Sequence, residues 1–155
     1  MLNITSPIAG AAGIAGFTSP TYTLTTATVS FPYSRMQMVT AKGGTQPSAV
    51  DVHSASRPFT FLSTRPAVIR AMPPLNANGQ LVGNPKNTYH VRSRKGVTVL
   101  AGQPSETIDS DFSFSIPAGA ELLDPDNLKA WAIAKCAAIQ SLVQGIIDTA
   151  STGEN

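Results

Sequence analysis

The sequence predicts an α+β protein, a strand-rich body followed by one C-terminal helix. Three observations carry this. Runs that alternate polar and apolar residues recur between Thr21 and Pro117. Twelve glycines and twelve prolines in 155 residues supply turn chemistry for many short strands. A single segment, from Asp124 to about Ile147, places apolar residues at helical spacing. The length fits one domain over 1–155. It divides into an N-terminal arm and hairpin over 1–30, sheet over 35–117 and a helical region over 124–150.

The Gly-, Ala-, Ser- and Pro-rich residues 1–20 predict a flexible or loosely paired arm. Thr21 to Ser30 is rich in Thr, Tyr and Val, which favour strands. Arg35 to Thr40 alternates Met36, Met38 and Thr40 against Arg35, Gln37 and Val39. Lys42-Gly43-Gly44-Thr45 reads as a turn and Ala49 to Ser54 as a short strand. Phe59 to Thr64 alternates Phe59, Phe61 and Ser63 against Thr60, Leu62 and Thr64. Pro73 to Lys86 is a long connection, and Asn78-Gly79 within it predicts a tight turn at the tip of a protruding hairpin. Asn87 to Lys95 sets Thr88, His90, Arg92 and Arg94 on one face and Tyr89, Val91 and Ser93 on the other. Gly96 interrupts the pattern before Val97 to Leu100 resumes it. The last strand runs from Thr107 to Pro117.

The helix has a defined start: Asp124 as N-cap, Pro125 at the first helical position and Asp126 complementing the dipole. Leu128, Trp131, Ala132, Cys136, Ile139, Leu142, Val143 and Ile146 form its apolar stripe. As one continuous helix it would be about 34 Å long, with Gly145 the expected place for a break. Lys129 and Lys135 argue against a membrane span. The single cysteine, Cys136, is expected as a small buried hydrophobe and offers no intrachain disulfide. A helix this apolar on a strand-rich body predicts an obligate oligomer, and so does a charged fraction of only 13%.

The net charge of +2 conceals a split. Up to Leu100 there are nine basic residues against the single acid Asp51, a balance of +8; beyond it two lysines face eight acids, a balance of −6. This is the footprint of a polyanion binder, or of two parts that neutralise each other in the fold. Catalytic patterns are lacking. His53, His90 and Cys136 have no metal-ligand spacing, no Gly-x-Ser-x-Gly elbow occurs, and no phosphate-cradling loop opens the helix. Asp109 and Asp111 share a strand face and are expected on a solvated or subunit-contact surface. Neither an enzyme nor a cofactor is predicted. The row Thr88, His90, Arg92 and Arg94, spaced about 7 Å apart, is the functional candidate. Guanidinium groups pair with phosphate and stack on bases.

Several pieces in order resemble the coat proteins of single-stranded RNA bacteriophages, the leviviruses. They are Phe59-Thr60-Phe61-Leu62-Ser63-Thr64-Arg65-Pro66, Asn87-Thr88-Tyr89-His90-Val91-Arg92-Ser93-Arg94-Lys95-Gly96, and Phe112-Ser113-Phe114-Ser115-Ile116-Pro117-Ala118-Gly119-Ala120, followed by the helix from Asp124. The resemblance covers roughly residues 57–150. It implies an N-terminal hairpin, an antiparallel sheet of about five strands, and a C-terminal helix lying on a partner's sheet in an interlocked homodimer. Leu128, Trp131, Cys136, Ile139, Leu142, Val143 and Ile146 would then form the dimer interface and core. It further implies an icosahedral virion shell, assembled in the bacterial cytoplasm around single-stranded genomic RNA, with no membrane partner. The face opposite the helices would bind RNA, in many members a hairpin that represses translation, through Thr60, Thr64, Arg65, Thr88, His90, Arg92 and Arg94. The helix, read as continuous, departs from relatives that often have two. A non-assembling dimeric RNA regulator and a phage tail or filament subunit are the alternative readings.

Overall fold

A computed structural model describes residues 2–11, 14–28 and 31–153. The end of the predicted first strand, Val29 and Ser30, and the tail positions Glu154 and Asn155 lie outside the described residues. The chain forms two compact units, Met1–Arg70 with Lys86–Ile116, and Ala71–Pro85 with Pro117–Asn155.

The first unit is a six-stranded sheet in sequential order: β1 (Ile8–Ala9), β2 (Thr21–Ala27), β3 (Ser34–Gly43), β4 (Phe59–Thr64), β5 (Lys86–Val97) and β6 (Glu106–Pro117). The first five are antiparallel to their neighbours. Cross-strand side-chain bonds from Thr88 to Ser115, Ser93 to Ser110 and Arg94 to Asp109 step in opposite directions along β5 and β6, which makes that pair antiparallel too. The predicted N-terminal hairpin is the β1–β2 pair, and it adds a strand to the expected five.

Register sorts the sheet into two faces. One carries Leu24, Gln37, Val39, Phe59, Phe61 and Ser63, continued by Tyr89, Val91, Phe112 and Phe114. Its rings meet at centroid distances of 5.9 Å (Phe59–Phe61), 5.2 Å (Tyr89–Phe114, stacked) and 5.7 Å (Phe112–Phe114). The described part of the arm crosses this face and is anchored there. Ile4 and buried Gln37 exchange two hydrogen bonds of 3.2 and 3.0 Å, and Ser63 Oγ donates to the Leu2 carbonyl. Burial of these polar groups is therefore compensated. Among the described residues of this unit the buried aliphatic side chains are nevertheless only Leu24 and Val39, and Val39 alone is fully buried.

The sequence misplaced three features here. Ala49 to Ser54 is irregular, because the Lys42 ammonium gathers the carbonyls of Pro47, Ser48 and Val50 and curls the chain away from a ladder. β3 runs on through Gly43 instead of turning at Lys42, and β5 continues through Gly96. Gly96 serves close approach rather than interruption. A Cβ there would stand 2.8 Å from the Arg57 Cα, while its N–H donates to the Pro58 carbonyl at 2.7 Å.

The second unit joins the 71–85 connection to the helices. Ala118 is buried and donates to the Pro85 carbonyl, and Asn84 donates to the Ala118 carbonyl. The connection forms no strands. Its turn is built by Asn76, whose Oδ1 accepts from the Asn78 and Gln80 amides. Three helices follow: α1 (Ala120–Leu123), α2 (Pro125–Ser141) and α3 (Val143–Thr152). Asp124 caps α2 with Pro125 behind it, as expected. The helix is split, and at Leu142 rather than Gly145. The Leu142 amide reaches back only to the Ile139 carbonyl, and the Ser141 hydroxyl takes the Ala138 carbonyl. Gly145 lies inside α3. No single helix is long and apolar enough to cross a membrane.

The apolar stripe is not buried within the chain. Trp131, Ile139, Leu142 and Ile146 are 44%, 41%, 57% and 61% exposed, and Leu128 and Val143 are half-buried. Cys136, expected as a small buried hydrophobe of the dimer interface and core, is exposed in the single chain. The helical residues supply no buried position to a core of their own.

Gly44 tests the sheet's packing. It has φ +70°, and a Cβ would meet the Ser19 carbonyl oxygen at 1.7 Å; Gly79 has φ +73° with open space around it. Gly44→Ala should cost more than about 2 kcal/mol, and Gly79→Ala about 1 kcal/mol, by shift of the unfolding midpoint. Equal losses would contradict the close approach at Ser19.

Candidate nucleic-acid interface

The opposite face of the sheet is polar and is built by the same period-two alternation. Register pairs Thr60 with Arg94, Leu62 with Arg92 and Thr64 with His90, and on the other side pairs Met38, Met36 and Ser34 with these same β4 residues. The predicted set Thr60, Thr64, Thr88, His90, Arg92 and Arg94 therefore lies on one surface. Thr60 is buried between its neighbours, whereas Thr88, Arg92 and Arg94 are exposed.

Arg65 stands apart from the row. It follows β4, its amide donates to the Tyr33 carbonyl, and its guanidinium sits 4.9 Å from the Tyr33 ring centroid while donating to the Pro66 carbonyl. Sequence reasoning also missed Lys86. It opens β5 two residues before Thr88, so the row begins one step earlier. The period-two count, carried back across the loop boundary, would have found it.

The β6 carboxylates complete the site. Arg92 Nε donates to Asp111 at 2.9 Å and Arg94 Nε to Asp109 at 2.7 Å. His90 Nδ1 lies 3.4 Å from Asp111, and the Thr107 hydroxyl bonds the other oxygen of Asp109 at 3.2 Å. Thr88 and Ser115 share a hydroxyl bond of 2.7 Å. The solvated acidic strand face expected from the sequence is thus half of an ion-paired ladder. The +8 and −6 halves of the chain partly neutralise each other at this place. Burial raises the Asp111 carboxyl pKa, but the bonds from Arg92 and His90 outweigh it and hold the group below its ordinary 3.8.

Other cations are held in structural roles. Arg57 pairs with Asp51 and donates to Thr98, and Lys95 donates to the Asp51 carbonyl and lies 4.5 Å from the Phe59 ring centroid. Together with Lys42 and Arg65, these account for four of the nine early basic residues. On the polar face a depression of about 720 Å³ opens, with Met36 and Leu62 on the β3–β4 side and the Arg92–Asp111 and Arg94–Asp109 pairs on the β5–β6 side. Its chemistry suits stacking on an apolar floor with donors and acceptors at the rim. Among the described residues no group of His, Cys, Asp and Glu could hold a metal ion.

The polar surface thus belongs to a sequential antiparallel sheet followed by C-terminal helices, with an aromatic face on its other side. No protein-family model and no curated protein matches the chain. Among solved structures it is similar to the "Virus-like particle of bacteriophage ESE020", with 38% sequence identity over 100% of both chains and a TM-score of 0.88. The chain belongs to the same family of phage capsid proteins.

The lowered Asp111 pKa has a signed consequence. A carboxyl depressed in the folded state adds stability above its unfolded pKa and loses it as pH falls through the folded value. The tie between β5 and β6 should therefore weaken as pH drops below the ordinary 3.8. Asp111→Asn should flatten that acid limb in unfolding measurements across pH. An unchanged acid limb would show that the pair carries no stability.

Proposed function

We propose that the chain is the shell-forming subunit of an RNA phage of the levivirus type. In this reading two copies interlock as a homodimer, dimers assemble in the host cytoplasm into an icosahedral virion shell, and the polar sheet face contacts packaged single-stranded RNA. A hairpin of that RNA, bound on the same face as translational repressor, would use the same groups. The observation that carries the reading is the pairing of unlike faces in a phage capsid fold. Within one chain the aromatic sheet face is only half-buried and the helix positions Ile139, Leu142 and Ile146 stay exposed, while the polar face carries Lys86, Thr88, His90, Arg92 and Arg94 in one row. In the dimer each helix stripe lies over the partner's sheet, which supplies the missing cover.

Similarity to a phage virus-like particle favours assembly over the dimeric regulator and over a tail subunit. Non-specific genome contact needs only donors to phosphate, and these the row provides.

Expressed alone, the protein should form uniform round particles by negative-stain microscopy, with nucleic acid visible in the 260/280 nm absorbance ratio. Arg92→Ala with Arg94→Ala should keep the particles and lower their RNA content; unchanged RNA would move the contact elsewhere. Trp131→Ala should prevent dimers and particles, since truncating an aromatic that the proposed dimer buries costs about 3–5 kcal/mol. Normal particles from this variant, measured by sedimentation, would remove the helix from the interface.

A further inference from the structure

The ladder between β5 and β6 raises a question that the reading of this face as an RNA surface leaves open. A face meant only to collect phosphate gains nothing from carboxylates set against its two central arginines. Here both guanidinium groups are engaged through Nε by aspartates that are themselves partly exposed, 39% for Asp111 and 58% for Asp109. The formal charge of the Arg92, Arg94, Asp109 and Asp111 set is zero, and Lys86 stands at the end of the row with no carboxylate partner among the described residues.

Solvent-exposed ion pairs are worth about 0–1 kcal/mol, so a ligand can displace them. An incoming phosphate, however, must approach beside the displaced carboxylate and meets its repulsion. An unpaired base meets no such penalty. Its amino and imino groups donate to a carboxylate, as cytosine N4 does, while its ring stacks on a guanidinium plane or on the Met36 and Leu62 side of the depression. Each guanidinium has five N–H donors, so the terminal amino groups stay available when Nε is held. A duplex has its base edges occupied and offers this face mainly phosphate.

Resting on the assignment of the polar face to RNA, we propose that Asp109 and Asp111 are specificity-determining residues of that face. They suppress binding of duplex RNA and bare polyanions and leave unpaired, base-exposing RNA as the favoured ligand.

The test compares full-length wild type with Asp109→Asn, Asp111→Asn and the double variant, at protein concentrations below assembly. The probes are a mixed-sequence single-stranded RNA, a duplex RNA of equal length and inorganic polyphosphate. The double variant should bind duplex and polyphosphate about tenfold or more tighter, with a smaller change for the single strand. Its slope of log affinity against log salt for duplex should steepen by about 2, one for each arginine freed to pair with phosphate. Unchanged affinities, or a parallel change for all three probes, would overturn the inference. Unaltered protein supplies a second reading that depends on no variant. Polyphosphate should displace bound single-stranded RNA only at large excess, and ready displacement would contradict the proposal. Arg92→Ala with Arg94→Ala separates the two levels. If that variant keeps full RNA affinity, the assignment of the face fails. If it loses affinity while the aspartate variants match wild type, only the role of the aspartates fails.

Discussion

The constraint behind this structure is that a single sheet has two faces and one chain covers neither fully. The aromatic face receives the N-terminal arm, which holds the buried Gln37 and Ser63 in hydrogen bonds. Phe59, Phe61, Tyr89, Phe112 and Phe114 remain only half-buried. The helices present Trp131, Ile133, Leu142 and Ile146 to solvent in the isolated chain. Large apolar side chains exposed in this number mark an interaction site. The small core of one subunit is thus consistent with a fold whose hydrophobic energy is collected between copies.

The second face answers to electrostatics. The charge split along the sequence is converted by the β5–β6 hairpin into local pairing. Strand six returns antiparallel, and its period-two acids fall opposite period-two arginines. Much of the remaining basic charge is spent on architecture: Lys42 shapes the 47–50 segment, Arg57 meets Asp51, and Lys95 covers Phe59. The surface offered to a ligand is therefore mixed in sign, with polar side chains beside an apolar floor. Such a surface suits contact with bases and riboses as well as phosphate.

Much of this was legible in the sequence. Alternation sorted Thr60, Leu62 and Thr64 onto one face of their strand and Thr88, His90, Arg92 and Arg94 onto one face of theirs, because period two is insensitive to errors in strand length; the resemblance joined the two sets, and the register does so too. The Asp124-Pro125 start of the helix was legible because capping is local chemistry. What was not legible depends on contacts distant in sequence or on competing hydrogen bonds. The Ala49–Ser54 segment looked like a strand, but Lys42 holds the carbonyls of Pro47, Ser48 and Val50 at its start. The helix break fell at Leu142, where a serine hydroxyl and a tightened turn act, and not at the more conspicuous Gly145. The arginine–aspartate ladder needed the β5–β6 register, yet its elements were present as matched two-residue spacings on either side of the 98–105 connection. Lys86 was lost only because it stood at a predicted loop boundary.

The central claim is that the folded subunit is completed by a second copy. It is tested most directly by unfolding dissociated protein across a wide dilution series, following circular dichroism and sedimentation on the same samples. The account predicts a midpoint that rises with protein concentration, with loss of structure and loss of the dimer in a single transition. A midpoint independent of concentration, with a folded monomer persisting at high dilution, would contradict it.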